Sequence, residues 1–276
     1  MEQNTNRMWW TIGAVVLGGL LISGFVVMAD TNVMPRISEK VNALIKKTEP
    51  DLTLNPDDSK WIQKGLYGEN GKFVVDKDGN AVIYAMDDSK PIIFHNMYDE
   101  NKKLPMATLT TLTFHDKVQG DTNSSMNSAF TNAFNNLKTI NNLDTNVDTS
   151  NVTNMNAMFY YSNITSVGDL SQWNTSNVTY MSSMFYNSQL TSVGDLSQWD
   201  TSNVTNMRAM FDSSNIASVG DLSQWNTSNV TDMRWMFADS NLTSVGDLSQ
   251  WNTSKVTNMN NMFYGSPLTP PAWYHQ

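Results

Sequence analysis

Ten residues, DLSQWNTSNV, stand at 169–178. They return at 195–204 with Asp200 in place of Asn, at 221–230 unchanged, and at 247–256 with Lys255 in place of Asn. The block belongs to a 26-residue period, and that period constrains the fold more than any other feature of the chain. A unit this short cannot bury its apolar side chains alone, so repeated units have to stack and bury them against one another. Columns of identical residues follow: Val152, Val178, Val204, Val230 and Val256; Met155, Met181, Met207, Met233 and Met259; Phe159, Phe185, Phe211, Phe237 and Phe263, each preceded by Met. A branched apolar column runs Ile164, Leu190, Ile216, Leu242, Leu268, and Val167, Leu170 and Trp173 of the first unit return three more times. A degenerate unit precedes these and supplies Phe130, Phe134, Leu137, Ile140, Leu143 and Val147.

Within one unit the spacing divides in two. Val178, Met181, Met184 and Phe185 fall at i, i+3, i+6 and i+7, which predicts one face of a short helix. Thr175, Ser176 and Asn177 stand before it as N-cap types. Leu190 to Trp199 then reads as an extended stretch with a bend at Gly194. The expected fold class is therefore an α/β solenoid, each coil holding a short helix and a short parallel strand. Stacking near the strand spacing of about 4.8 Å would lay like side chains on like. The Trp, Met and Phe columns then read as core. Asp169, Asp195, Asp221 and Asp247 would stack as well, which requires each to face solvent or accept hydrogen bonds.

Upstream, KFVVDKDGNAVIY reads as a hairpin turning at Asp78-Gly79. The DKDGN run resembles the opening of a calcium loop but has no downstream Glu to close one. Short strands are expected at 91–95 and 108–114, and residues 59–118 as a whole are expected to form a small β-rich cap. The solenoid, with its degenerate first unit, fills 119–276, and Pro267, Pro270, Pro271, Trp273 and Tyr274 would close its last coil.

Residues 8–28 carry no charge and follow a short tail at 1–7. As a helix, 21 residues rise about 31 Å, enough to cross a bilayer, with Trp9 and Trp10 at an interface. The expectation is a single-pass membrane protein, the helix serving as retained anchor or uncleaved signal, with the repeat domain outside the cell; cleavage would make the protein secreted. Residues 29–58 read as an amphipathic helix, with Ile37, Val41, Leu44 and Ile45 at helical spacing, followed by a linker. The apolar-to-amphipathic succession also resembles type IV pilins, which leaves open a pilin-like or secretion-machinery component carrying a solenoid head.

Composition removes other classes. With no cysteine, thiolate catalysis, disulfides and Cys-ligated metals are excluded. A net charge of −9 argues against a nucleic-acid partner. The three histidines, His95, His115 and His275, have no metal-ligand spacing. No nucleophile–base pair or metal set stands out, so neither an enzyme nor a cofactor is expected.

The motif WNTSNVTNM followed by MF and LTSVGDLSQW, over about residues 126–266, resembles the BspA-like leucine-rich-repeat surface proteins, also described by the DUF285 repeat. The VGDL segment has one residue more than the LDL of many members. The resemblance implies a bacterial surface protein that binds a host, matrix or neighbouring-cell protein, with no catalytic residues. Positions that do not recur are free of the packing constraint. On the helical segments these include Tyr160, Tyr161, Tyr186, Arg208, Arg234, Trp235 and Tyr264, residue types enriched at interface hot spots. They are the candidate partner-binding residues, arranged as a shallow strip along the coil axis.

Overall fold

The computed structural model describes residues 58–275 and four short strands nearer the N-terminus: β1 (Trp9–Thr11), β2 (Val16–Leu17), β3 (Leu20–Leu21) and β4 (Val26–Met28). The chain forms two compact units, Met1–Leu52 and Thr53–Gln276. In the first, β1 pairs with β4 antiparallel, Trp9 opposite Met28, and β2 pairs with β3, Leu17 opposite Leu20. This corrects the membrane-spanning helix expected at 8–28. The described residues of that stretch are extended and paired, and among the described residues no helix is long and apolar enough to cross a membrane. An apolar run satisfies strands as readily as a helix when β-branched residues are frequent. The single-pass placement with an extracellular repeat domain falls with that helix. The tail at 1–7 and the amphipathic helix and linker at 29–57 lie outside the described residues.

The second unit opens with β5 (Trp61–Tyr67), β6 (Gly71–Asp76), β7 (Asn80–Ala85), β8 (Ile92–Asn96) and the helix α1 (Met97–Asn101). There follow β9 (Thr111–Phe114), β10 (Val118–Ser125), β11 (Thr139–Asn141), the one-turn helix α2 (Leu143–Asn146), β12 (Val147–Asp148) and β13 (Val152–Asn154). β6 and β7 form the expected hairpin, Val75 opposite Ala81, around Lys77-Asp78-Gly79. The Asp76 carboxylate accepts from the Asp78 and Asn80 N–H groups at 2.9 Å each and from the Asn80 amide, so this loop is held by its own backbone.

Two sheets result, the first mixed and the second parallel. One has the order β11-β9-β7-β6-β5; in the other, β10 pairs in parallel with β8, β12 and β13. The small β-rich cap is expected at 59–118, its short strands starting the sheet. Its strands continue into the first repeat units, β9 onto β11 and β10 onto β12 and β13, sharing one core with them.

The α/β solenoid of helix-and-strand coils is also corrected. Among the described residues no α-helix follows α2 and no strand follows β13. The stretch read as helical is a run of tight turns, because two residues per unit sit at positive φ, where an α-helix cannot continue. In one unit they are Ser183 (φ 56°) and Asn187 (φ 48°); in the next, Ala209 (52°) and Ser213 (56°). The N–H groups freed by this geometry do not bond within the unit. Met181, Ser183, Phe185 and Asn187 donate to the carbonyls of Asn206, Arg208, Met210 and Asp212 in the following unit. The expected cap does not form as read either: Thr175 Oγ1 donates across to the Asp200 carbonyl (3.0 Å), and Asn174 accepts from the Ser176 N–H. Single parallel bridges, Asn154–Tyr180–Asn206–Asp232–Asn258, fall in the stretch read as helical, whereas Leu190 to Trp199, read as extended, forms no strand.

The units nonetheless stack like on like. Successive phenylalanine rings lie 5.7, 5.5, 5.9 and 5.5 Å apart from Phe159 to Phe263, wider than strand spacing. Trp173 stacks on Trp199, and Trp225 on Trp251, at 6.4 and 6.5 Å. Each interior indole also bonds backward, Trp199 Nε1 to the Leu170 carbonyl (3.0 Å) and Trp225 Nε1 to that of Leu196 (2.9 Å). Trp273 does the same to Leu248 (2.8 Å), so the segment after the last unit supplies one more indole although its sequence has left the period. Val178, Met181, Met184, Phe185, Leu190 and their equivalents through Leu242 are fully buried. Each buried side chain of this size stabilises by about 1.5–3 kcal/mol, and the repetition makes that gain recur at every junction.

Candidate functional site

The turns that carry the Met-x-x-Met-Phe segments also carry the seven candidate residues, because side chains between the buried positions point outward. Tyr160, Tyr161 and Tyr264 are exposed, at 36, 40 and 56%. Arg208 is exposed as well, while Tyr186, Arg234 and Trp235 are half-buried.

Three of the seven form one cluster. The Tyr160 and Tyr186 rings stack at 5.1 Å, one unit apart, and Tyr161 meets them at 4.8 and 5.2 Å. Such aromatic contacts add about 0.5–1.5 kcal/mol beyond burial and hold the rings in one arrangement. The Tyr186 hydroxyl is pushed up to about 12, first by its hydrogen bond with Tyr161, then by burial and the nearby Asp212 carboxylate. Asp212 is itself raised, chiefly by burial and secondly opposed by its bond from Ser213, with Asp239 adding a like charge.

A second cluster lies further along the stack. Trp235 meets Tyr264 edge-on at 5.9 Å. Beside it, Arg234 grips Asp232 through both Nε (3.0 Å) and Nη2 (2.6 Å). Burial alone would raise Asp232, but the bonds from Arg234 outweigh it and hold the carboxyl below its ordinary value. Arg234 is therefore already paired. Arg208 makes no side-chain hydrogen bond among the described residues, and its charge acts on both Asp212 and Asp232.

Trp235 stands out conformationally. Its column reads Ala157, Ser183, Ala209, Trp235, Asn261, all at φ between 52° and 60°. A non-glycine residue there costs about 1–2 kcal/mol, and a bulky one is rarely found. Tyr161 has the same strain at φ 53°. Sequence reading missed Tyr180, which is 49% exposed. Its signal was present: the column 154, 180, 206, 232, 258 is Asn or Asp everywhere else.

A hollow of about 390 Å³ lies elsewhere, among Asp88, Lys90, His115, Asp116 and Lys117. Its Asp116 carboxylate already accepts from the Ala85 N–H (2.8 Å) and meets His115 Nδ1 at 3.0 Å, so it ties the end of β7 to the segment after β9.

The family model described as "Mycoplasma protein of unknown function, DUF285" matches residues 124–216 and 189–268. No curated protein and no solved structure gives a significant match. The matched stretches span more than half of the 276 residues and cover the stacked units, and the chain belongs to the DUF285 family.

Proposed function

We propose that the stacked units form a rigid binding module for another protein, acting by recognition and not by catalysis. The observation that carries this reading is the surface tyrosine cluster, with Tyr160 and Tyr161 exposed and Tyr186 half-buried between them. Rigid amphipathic rings, pre-packed on a repeating scaffold, offer contact area at little entropic cost. Strain supports it too: Trp235 and Tyr161 hold left-handed backbone positions that smaller residues fill elsewhere, and strained bulky residues cluster at functional surfaces. Closer kinship with the BspA-like leucine-rich-repeat proteins, and with it adhesion to a host, matrix or neighbouring-cell protein, is part of the proposal. Its support is the 26-residue period with apolar columns at fixed offsets.

The test compares proteins captured by the immobilised chain, by Tyr160→Ala/Tyr161→Ala/Tyr186→Ala, by Arg234→Ala/Trp235→Ala, and by Gln198→Ala/Gln224→Ala on another face. A partner held by the parent and the glutamine variant, and lost from either strip variant at unchanged melting temperature, supports the reading. Equal capture by all four contradicts it.

A further inference from the structure

We propose a second binding surface, independent of the tyrosine strip: the downstream edge of the last unit, with an acidic peptide as its occupant. At every junction the same four backbone N–H groups donate forward. Met155, Ala157, Phe159 and Tyr161 reach the unit after them, and so on to Met233, Trp235, Phe237 and Asp239, which reach the carbonyls of Asn258, Asn260, Met262 and Tyr264. In the last unit the equivalent donors are Met259, Asn261, Phe263 and Gly265, and among the described residues none has an acceptor. Trp273 and Tyr274 close the tryptophan side and the Phe263 ring without taking up these four groups. The adjoining column runs the other way, with Thr257 donating back to the Thr231 carbonyl, so the edge beyond it presents four donors in a row.

Three further observations point to an anionic, acceptor-rich occupant. Asn261 and Gly265 lie at φ 57° and 63°, and the N–H groups between the four donors turn back into the unit, Met262 to the Met259 carbonyl and Tyr264 to that of Asn261, which leaves alternate N–H groups facing one way for a run of acceptors. The Tyr274 hydroxyl, whose ring meets Phe263 at 5.1 Å, is buried without a partner. Finally, residues 248–276 contain no Asp or Glu, although the chain carries −9; Asn258 stands where the unit before has Asp232, Lys255 appears, and the Asp239 carboxylate reaches the edge only against Gly265.

A second copy does not fit. Tail to tail, donors would face donors. Head to tail, the upstream face is occupied: Asn101 donates to the Ala129 carbonyl (2.8 Å) and β8 lies along β10. Four donors spread over seven residues also ask for a chain of successive acceptors in preference to one small anion.

The experiment titrates the full ¹⁵N-labelled chain with hexaglutamate, hexalysine and inorganic phosphate, following amide shifts. Hexaglutamate is expected to shift Met259, Asn261, Phe263 and Gly265 saturably, leaving Met233, Trp235, Phe237 and Asp239 unmoved. Phosphate should bind at least tenfold more weakly and hexalysine not at all. Asn258→Asp/Asn260→Asp should weaken hexaglutamate at least fivefold; Asp232 already fills the first column one unit upstream, so the variant can fold. The proposal is overturned if hexaglutamate gives no saturable shift, if phosphate or hexalysine matches it, or if the double variant binds as well as the parent.

Discussion

The Asp195 carboxylate occupies the space that a Cβ on Gly220 would need, one unit further along. The same pairing joins Asp169 to Gly194 and Asp221 to Gly246. Gly220 also lies at φ 80°, and Asp195 accepts from the Ser197 N–H at 2.9 Å. The Val-Gly-Asp segment is thus one device. Each glycine makes room for the aspartate before it, and each aspartate ties down the turn after it. Gly220→Ala should cost about 1–2 kcal/mol for the backbone and about as much again for displacing a charge-assisted bond. A melting temperature lower by roughly 5–15 °C is expected. Asp195→Ala/Gly220→Ala should be less damaging than the two singles added together, because the collision is gone.

The phenylalanine ladder should be the most sensitive element. Phe211 is fully buried, its ring 5.5 Å from Phe185 and 5.9 Å from Phe237. Phe211→Ala is expected to lose about 3–5 kcal/mol in chemical denaturation. Trp235→Ala, placing in that column the residue already at 157 and 209, should change stability by less than about 1 kcal/mol. Similar losses from both would show that Trp235 is core.

Asp212 gives a pH dependence of known sign. Its folded carboxyl is raised by burial, so its contribution is present below the ordinary carboxylate value and is lost as pH rises through the folded one. Asp212→Asn should therefore raise the melting temperature at pH 7, and the advantage should vanish at pH 3. Asp195 runs the opposite way: its carboxyl is lowered by the Ser197 N–H, so its stabilisation is present at neutral pH and lost in acid.

Tyr186 can be watched directly. Phenolate absorbance should show one tyrosine ionising near 12, and Tyr161→Phe should bring it down toward the ordinary 10 by removing the leading cause of the shift. A titration unaltered by that change would mean the two hydroxyls are not bonded.

How far the sequence could be read follows from what each residue type signals. Val178, Met181, Met184, Phe185, Leu190 and Trp199 were legible as core because the period repeats them, and all are buried. Helix and paired tight turns were not separable, since both put i, i+3 and i+7 on one side. What decides between them is positive φ at Ser183 and Asn187, and columns filled by Ala, Ser, Trp and Tyr announce that poorly. The 8–28 stretch was misread because length and apolarity serve a helix and short strands alike. Of the strip, the tyrosine trio came together, whereas Arg234 turned inward to Asp232.

The central claim is that consecutive 26-residue units lie directly on one another. Because the chain has no cysteine, engineered disulfides report on this cleanly. Gln198 and Gln224 are exposed and one unit apart; Gln250 is one unit further. A disulfide needs Cα atoms about 4.4–6.8 Å apart, which stacked neighbours satisfy and second neighbours do not. Oxidised Gln198→Cys/Gln224→Cys should form an intramolecular disulfide in full and keep the fold, while Gln198→Cys/Gln250→Cys stays reduced. If the adjacent pair fails to close, or the distant pair closes as readily, the units are not stacked in register.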